Sequence, residues 1–470
     1  MKFYGRKDEL NELEMKWATS KSELIVVYGR RRIGKSKLIE EFCRNKPALS
    51  FEGLEGKKTQ AQIRHFQAIL QKQVPDRGLQ QQKFIGWDAA FSYLTQWLAK
   101  QAGNRTVIFF DEFQWMAASR THLVSLLKYY WDNEWKNYPV LVILCGSIAT
   151  FMIEKVIHSS ALYGRISLEL PIRGLNPYES SKMFQGKRSL EEILKYLMIF
   201  GGVPKYLEEI QLNRSFEQNI NRLCFSKNGL MTNEFERIFY NQFTETSHYE
   251  DIVRSLQAVP LSFDQIAKKI KLPSGGGLKR YLTRLEQADF IKSIVPLGQK
   301  STSKLKKYRL SDEYLIFYFK YILPQMKWIQ EGISKNIFEK LVMPQWQPWL
   351  GFAFERFCLK NASHLAQVMG FSEQVLGAAP YYTHKDQGFQ IDLVYQRADR
   401  VYTICEIKYY NKPITTTIIP EVERKTMLFP CPNGYSIEKA LISLYGPDRA
   451  LKESKYFDHS VTLKDLFSEG

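Results

Sequence analysis

The sequence predicts an α/β protein: a parallel sheet with a helical lid, then a small helix–hairpin module, then a second α/β unit. Three observations predict it. Leu24–Phe42 (LIVVYGRRRIGKSKLIEEF) reads as a buried strand, a tight loop spelling G-x-x-x-x-G-K-S, and a helix opening at Lys35. Thr106–Trp115 holds an apolar run that ends in Asp111-Glu112, the form of a buried parallel strand whose carboxyl end meets a ligand crevice. Near the C-terminus, Asp392 and the sequence Glu406-x-Lys408 sit on two further apolar strands.

At 470 residues the chain is too long for one core and should divide into about three or four domains. Its 44% hydrophobic and 24% charged residues are a globular composition. The net charge of +17 points to a polyanionic partner, nucleic acid ahead of a membrane surface. Six scattered cysteines without a C-x-x-C, and seven histidines without zinc-ligand spacing, read as reduced cytosolic thiols. The N-terminus has no apolar signal core, and the longest apolar run, Val140–Ile153, is interrupted by Gly146 and Ser147. That run is too short to span a bilayer, so a cytoplasmic location and no membrane partner are expected.

Taken in order, Phe3–Leu10 (FYGRKDEL) is a turn leading into an amphipathic helix that runs to about Trp17. Its place just upstream of the Gly-rich loop suggests a segment that closes over a nucleotide base. In the loop, backbone N–H groups converge on a phosphate at a helix N-terminus, where the helix dipole also favours negative charge. Gly29 and Gly34 let the backbone approach, and Arg30, Arg31, Arg32, Ile33 and Lys37 complete the wrap around the cofactor. Lys35 reaches the β- and γ-phosphates, and the Ser36 hydroxyl is placed to ligate Mg²⁺. ATP and Mg²⁺ are therefore the expected cofactors.

Ala48–Phe51 reads as a second strand and Thr106–Asp111 as a third. At its end Asp111 would hold Mg²⁺ through the water shell, and Glu112 would orient and deprotonate the attacking water. Pro139–Gly146 is a fourth apolar strand ending at Ser147, a candidate contact to the γ-phosphate or the lytic water. Arg165 opens a fifth strand, Ile166–Leu170, where an Arg can act on a neighbouring subunit's nucleotide. Homo-oligomers or a protein partner would then assemble through this region.

These features recur in order: FYGRKDEL, YGRRRIGKS, VIFFDEFQW, LCGS, LYGR and, at Phe200–Leu207, FGGVPKYL. On them, residues 1–210 resemble the archaeal-type AAA+ ATPases, a group related to origin-recognition and signalling NTPases. The resemblance implies a P-loop NTPase fold, a parallel sheet with a helical lid, in which the Gly-Gly-x-Pro segment replaces the usual second-sensor Arg. Ile148 departs from the pattern, where the family often carries a second small polar residue.

From Tyr249 the pattern changes. Ser262-Phe263-Asp264-Gln265 forms a capping box for a helix ending near Ile270. A turn follows, then a helix Gly277–Ala288 with Leu278, Leu282 and Leu285 inward and Lys279, Arg280 and Arg284 outward. Phe290–Val295 and Leu305–Leu310 pair as a wing around Lys300, Lys304, Lys306 and Lys307. This is the pattern of a winged helix-turn-helix with a DNA-facing helix, as the resemblance also implies. A protein-contact winged helix with a solvated face fits the same residues.

Tyr314–Ile322 and Trp328–Trp349 read as a connector, and Gly351–Leu359 as a helix carrying Glu355. Gln390–Val394 and Val401–Lys408 read as adjacent strands. Asp392 with Glu406-x-Lys408 resembles the D…(D/E)-x-K signature of restriction-endonuclease-like nucleases. Asp392 and Glu406 would share Mg²⁺, Glu355 matches the accessory acid, and Lys408 would lie near the attacking water. Four domains are expected: an ATPase core (1–170), a helical lid (171–245), a winged helix (246–323) and a restriction-endonuclease-like α/β domain (324–470). The expected function is an ATP-hydrolysing protein that binds DNA and can cleave it. The alternative is an ATP-gated DNA- or protein-binding switch whose C-terminal domain is catalytically silent.

Overall fold

The fold was read from a computed structural model, which describes residues 3–101, 103–117, 122–240, 243, 246–257, 259–300, 302–303, 305–332, 335–383 and 388–469. The chain divides into two compact units. Unit 1 is residues 1–174 with short returns at 203–205 and 240–244, and unit 2 is the remainder. Among the described residues no helix is long and apolar enough to cross a membrane.

Unit 1 begins with α1 (Lys7–Ala18) and continues through β1 (Glu23–Tyr28), α2 (Lys35–Cys43), β2 (Ala48–Glu52) and α3 (Thr59–Gln73). β3 (Thr106–Asp111), β4 (Val140–Gly146) and β5 (Ile166–Pro171) complete a five-stranded sheet of order β2-β3-β4-β1-β5. Every neighbouring pair is parallel. Such strands are covered on both faces, which is why β1, β3 and β4 are nearly unbroken apolar runs. Leu24–Val27 and Val140–Cys145 are fully buried. Fully burying one such Val, Leu, Ile or Phe side chain stabilises the fold by about 1.5–3 kcal/mol. Phe51 of β2 stacks on Phe66 of α3 with ring centroids 4.1 Å apart and lies 5.7 Å from Phe110 of β3.

Unit 2 opens with helices, including Leu190–Phe200 and Phe216–Cys224. A small sheet follows, in which β6 (Leu261–Ser262), β7 (Ile291–Ile294) and β8 (Lys307–Leu310) pair antiparallel in the order β6-β8-β7. Between β6 and β7 run the helices Phe263–Ile270 and Gly276–Gln287. The Ser262 capping box forms as expected: the Gln265 N–H donates to Ser262 Oγ at 3.3 Å, and the Ser262 N–H donates to Gln265 Oε1 at 2.8 Å. Lys304 lies outside the described residues.

The helix that carries Glu355 is longer than its sequence suggests, spanning Trp346–Lys360. Its first turns take in the end of the expected connector, and Trp346 and Trp349 stack there at 4.8 Å, both buried. The last sheet has the order β13-β12-β11-β10-β9, from β9 (Val375–Thr383), β10 (Phe389–Arg397), β11 (Val401–Lys408), β12 (Ser436–Ser443) and β13 (His459–Val461). It is mixed: β9, β10 and β11 pair antiparallel, and β11, β12 and β13 parallel. The helix Ile419–Leu428 is the crossover between the parallel neighbours β11 and β12.

Candidate functional site

In unit 1 the carboxyl ends of β1, β4 and β3 lie side by side, and each ends in residues that the sequence singled out. Gly29 follows β1 with φ +154°, and a Cβ there would run into the Ile172 carbonyl oxygen. That closeness follows from strand pairing, since the Ile172 N–H donates to the Tyr28 carbonyl at 2.7 Å. Gly34 has φ +90° and forms the N-cap of α2, so the loop reverses into the helix where a side chain would be strained. Lys35 is 6% exposed, and its Nζ donates to the Arg30 carbonyl at 3.0 Å across the loop. Arg30, Arg31, Arg32 and Ser36 are half-buried around it, Ile33 is buried, and Arg31 pairs with Glu55 at 2.9 Å. Lys37 is half-buried in the first turn of α2.

Residues from two further segments also touch this loop. Arg6, buried at the start of α1, donates to the Ile33 carbonyl at 2.9 Å and to the Arg173 carbonyl at 2.5 Å. Pro204, from the FGGVPKYL segment, lies 3.8 Å from where a Gly34 Cβ would be.

Across the crevice, the Glu112 N–H donates to Asp111 Oδ1 at 2.9 Å. Glu112 sits at φ +48°, a left-handed conformation costly for a residue with a Cβ. Its Oε2 accepts from Ser147 Oγ at 2.7 Å and from the Gln114 amide, and that amide also reaches Ser147 Oγ at 3.2 Å. Ser147 and Gln114 are both buried, so this hydrogen-bonded triangle holds Glu112. Ser147 thus meets Glu112 directly. Arg165 is engaged by Asp132 in a two-pronged pair at 2.7 and 2.8 Å, which lowers the Asp132 carboxyl to about 2. Ser36 and Asp111 supply a hydroxyl and a carboxylate, the oxygen donors that Mg²⁺ takes. Among the described residues no group of three or more His, Cys, Asp or Glu side chains is arranged to hold a metal. A cation here would complete its shell with phosphate oxygens and water.

In unit 2 the second constellation comes together on β10, β11 and the helix Trp346–Lys360. The β9–β10 register shifts between Ile391 and Val394, a bulge beside Asp392. Asp392 Oδ2 accepts weakly from the Ile407 N–H at 3.4 Å. Burial, then the nearby Glu406 charge, pushes the Asp392 carboxyl up to about 6. Burial, then Asp392, pushes Glu355 up to about 7. Glu406 is 1% exposed and is gripped by two lysines. Lys408 reaches Oε1 at 2.8 Å, and Lys425, on the helix Ile419–Leu428, reaches Oε2 at 2.8 Å and Oε1 at 3.1 Å.

Lys425 was invisible to motif reasoning, because it lies beyond the E-x-K element on a helix whose apolar pattern is short. Carboxylates are the right chemistry for a hard cation, but as they stand these three are not arranged as a metal-holding group among the described residues, and a cation binding Glu406 would have to displace a lysine nitrogen. Lys279 and Arg280 are exposed on the helix Gly276–Gln287, while Arg284 is half-buried with Nη1 3.4 Å from the Tyr249 hydroxyl.

Residues 3–210 match a family described as an ATPase domain predominantly from Archaea. Residues 318–419 match one described as archaeal and bacterial proteins of unknown function. An uncharacterized protein of Methanocaldococcus jannaschii is 28% identical over 355 residues, 75% of this chain and 76% of its own. A Walker-type ATPase of Pyrococcus abyssi shares the fold with TM-score 0.52 and 19% identity, over 68% of this chain and 96% of that one. The ORC2 protein of Aeropyrum pernix, in ADPNP and ADP complexes, matches with TM-score 0.44 and 12% identity over 70% and 95%.

Proposed function

We propose that this chain, which carries an ATPase domain over residues 3–210, binds Mg·ATP at the loop Gly29–Lys37 and hydrolyses it with Glu112 as the base. The observation that carries this reading is the Glu112–Ser147–Gln114 triangle at the mouth of the phosphate loop. A carboxylate clamped by a buried hydroxyl and amide is held in one orientation, as a group that must take a proton from water needs to be. Lys35 offsets phosphate charge, Gly29 and Gly34 admit the phosphates to the backbone, and Ser36 and Asp111 would hold Mg²⁺. When bound, that ion supplies neutralisation of the charge that develops on the phosphate oxygens. Arg165 belongs to this reading as a residue for a neighbouring copy's nucleotide, available once Asp132 releases it. Lys35→Ala should abolish ATP binding in a filter assay, while Glu112→Gln should bind ATP and release no phosphate. Full turnover by Glu112→Gln would move the base elsewhere.

The second reading concerns nucleic acid, within the division into an ATPase core (1–170), lid (171–245), winged helix (246–323) and restriction-endonuclease-like domain (324–470). The helix Gly276–Gln287 presents Lys279, Arg280 and Arg284 to DNA phosphates, and the net charge of +17 favours such a partner. Glu355, Asp392 and Glu406 would hold Mg²⁺, which when bound polarises a phosphodiester, and Lys408 positions the water. The clustering of raised carboxyls beside Lys408 supports this site. Asp392→Ala should lose metal affinity and nicking of supercoiled DNA together, and Lys408→Ala should keep the metal and lose most of the rate. A wild type that cuts nothing in Mg²⁺ or Mn²⁺ leaves an ATP-gated binder in place of the nuclease.

A further inference from the structure

Unit 2 contains a cavity of about 610 Å³, within the range of about 300–1,000 Å³ usual for ligand pockets. One wall is β8, with Lys307 and Arg309; a second is the helix Trp346–Lys360, with Trp349, Phe352 and Arg356; Asp392 of β10 and Glu355 lie in it as well. The lining is strongly charged. Arg356 and Arg309 are both half-buried and line the same space. Lys320, which also lines the cavity, has its pKa lowered by burial and then by Arg356. Arg309, Lys320 and Arg356 thus face one space, with Lys307 also on its wall, and like charges there repel each other. Glu313, whose charge acts on Arg309, is already held by Lys360 at 2.7 and 2.8 Å. Arg309 Nε and Trp349 Nε1 are buried donors without a hydrogen-bond partner among the described residues. Such a cluster costs stability unless an anion rich in acceptors occupies it.

The apolar part of the lining narrows the choice. Phe352 is 62% exposed and lies one helical turn before Glu355, so its ring and that carboxyl share a face. Lys307 stacks over the Tyr382 ring at 5.2 Å, and Arg356 lies 6.0 Å from the Trp349 ring. Aromatic faces beside cations are what unpaired bases and their phosphates use, whereas a duplex keeps its base faces inside the stack.

We infer that this cavity seats a single nucleic-acid strand, its phosphates at Arg309, Lys320 and Arg356 and a base on Phe352. The seat leads the strand to Glu355 and Asp392. It deepens the nucleic-acid reading above and rests on it. It does not require cleavage, and it is distinct from duplex contact through Lys279, Arg280 and Arg284.

The test is fluorescence anisotropy of a short dye-labelled single-stranded deoxyoligonucleotide and of its duplex, with the full-length protein in EDTA so that nothing can be cut. Both side chains changed are exposed, and thermal melts check that the variants fold. Phe352→Ala should weaken single-strand binding by about tenfold or more, the loss of one base–aromatic stack, and leave duplex binding unchanged. Lys320→Gln should flatten the single-strand log K against log salt slope by about 0.7. Replacing Lys279, Arg280 and Arg284 together by Ala should weaken the duplex and spare the single strand. That last variant judges the duplex reading alone, since an unchanged duplex slope removes the DNA-facing helix and leaves the cavity untouched. Unaltered single-strand affinity in folded Phe352→Ala and Lys320→Gln would overturn the inference. So would equal displacement of the strand by inorganic phosphate, by an acidic peptide or by duplex.

Discussion

Glu112 is held by Gln114, two residues on, and by Ser147, 35 residues away, and its behaviour should depend on both. Ser147→Ala removes the 2.7 Å donor and leaves an acceptor short of a partner. We expect kcat for ATP hydrolysis to fall about tenfold, less than the roughly 100-fold or more that a general base contributes, with ATP affinity nearly unchanged. Single-turnover phosphate release beside filter binding measures both. The Arg165–Asp132 pair has a pH signature. Asp132 is lowered from 3.8 to about 2, so its contribution is present above its usual value and is lost as pH falls toward 2. Because the pair is partly exposed, Asp132→Asn should cost at most about 1 kcal/mol at pH 6 and only a small part of that near pH 2. Urea melts at the two pH values test this. Glu406 is buried, so the loss of one partner costs more there. Lys425→Met strips away one of its two cations and should destabilise unit 2 by about 3 kcal/mol. Adding Glu406→Gln should recover most of that loss in a double-mutant cycle, and additive losses would mean that the two residues do not couple.

At the scale of elements, the loop between β1 and α2 depends on strand pairing as much as on its own glycines. Gly29→Ala would drive a Cβ into the Ile172 carbonyl just past β5. The clash cannot be relieved by a side-chain rotation, so either β5 or the loop must move. The expected outcome is loss of ATP binding with a drop of about 2 kcal/mol or more in stability, read by nucleotide titration and thermal melting. The Ser262 cap makes a smaller, local claim: Ser262→Ala should cost about 1 kcal/mol. In unit 1, β1, β3 and β4 were legible because each is buried along nearly its whole length and so writes an apolar run, while β2 and β5 at the sheet edges are partly exposed. β9, β12 and β13 were not legible. β9 contains Gly377 and Pro380, β12 opens on Ser436 and Glu438, and β13 has three residues, so none shows a clear period. The helix at Trp346 read as a connector because Pro348 and the tryptophans disguise its periodicity, although Pro is tolerated in a first turn.

For the whole molecule, the sequence by itself determined the α/β class, the order of the motifs and the chemistry on offer. A G-x-x-x-x-G-K-S loop, a strand ending in Asp111-Glu112 and an E-x-K strand each lie within a few consecutive residues. Backbone geometry over such a span follows from local sterics and burial period. Only the tertiary structure decided which side chains meet. Ser147 reaches Glu112 across 35 residues, and Arg6 reaches the loop at Ile33 across 27. Lys425 folds back onto Glu406 from a helix 19 residues away, and Arg309, Lys320 and Arg356 come to one cavity from three separate elements. No local pattern records these meetings. Each is set by the pairing of strands and the packing of helices, and those depend on burying the apolar faces of the whole chain at once.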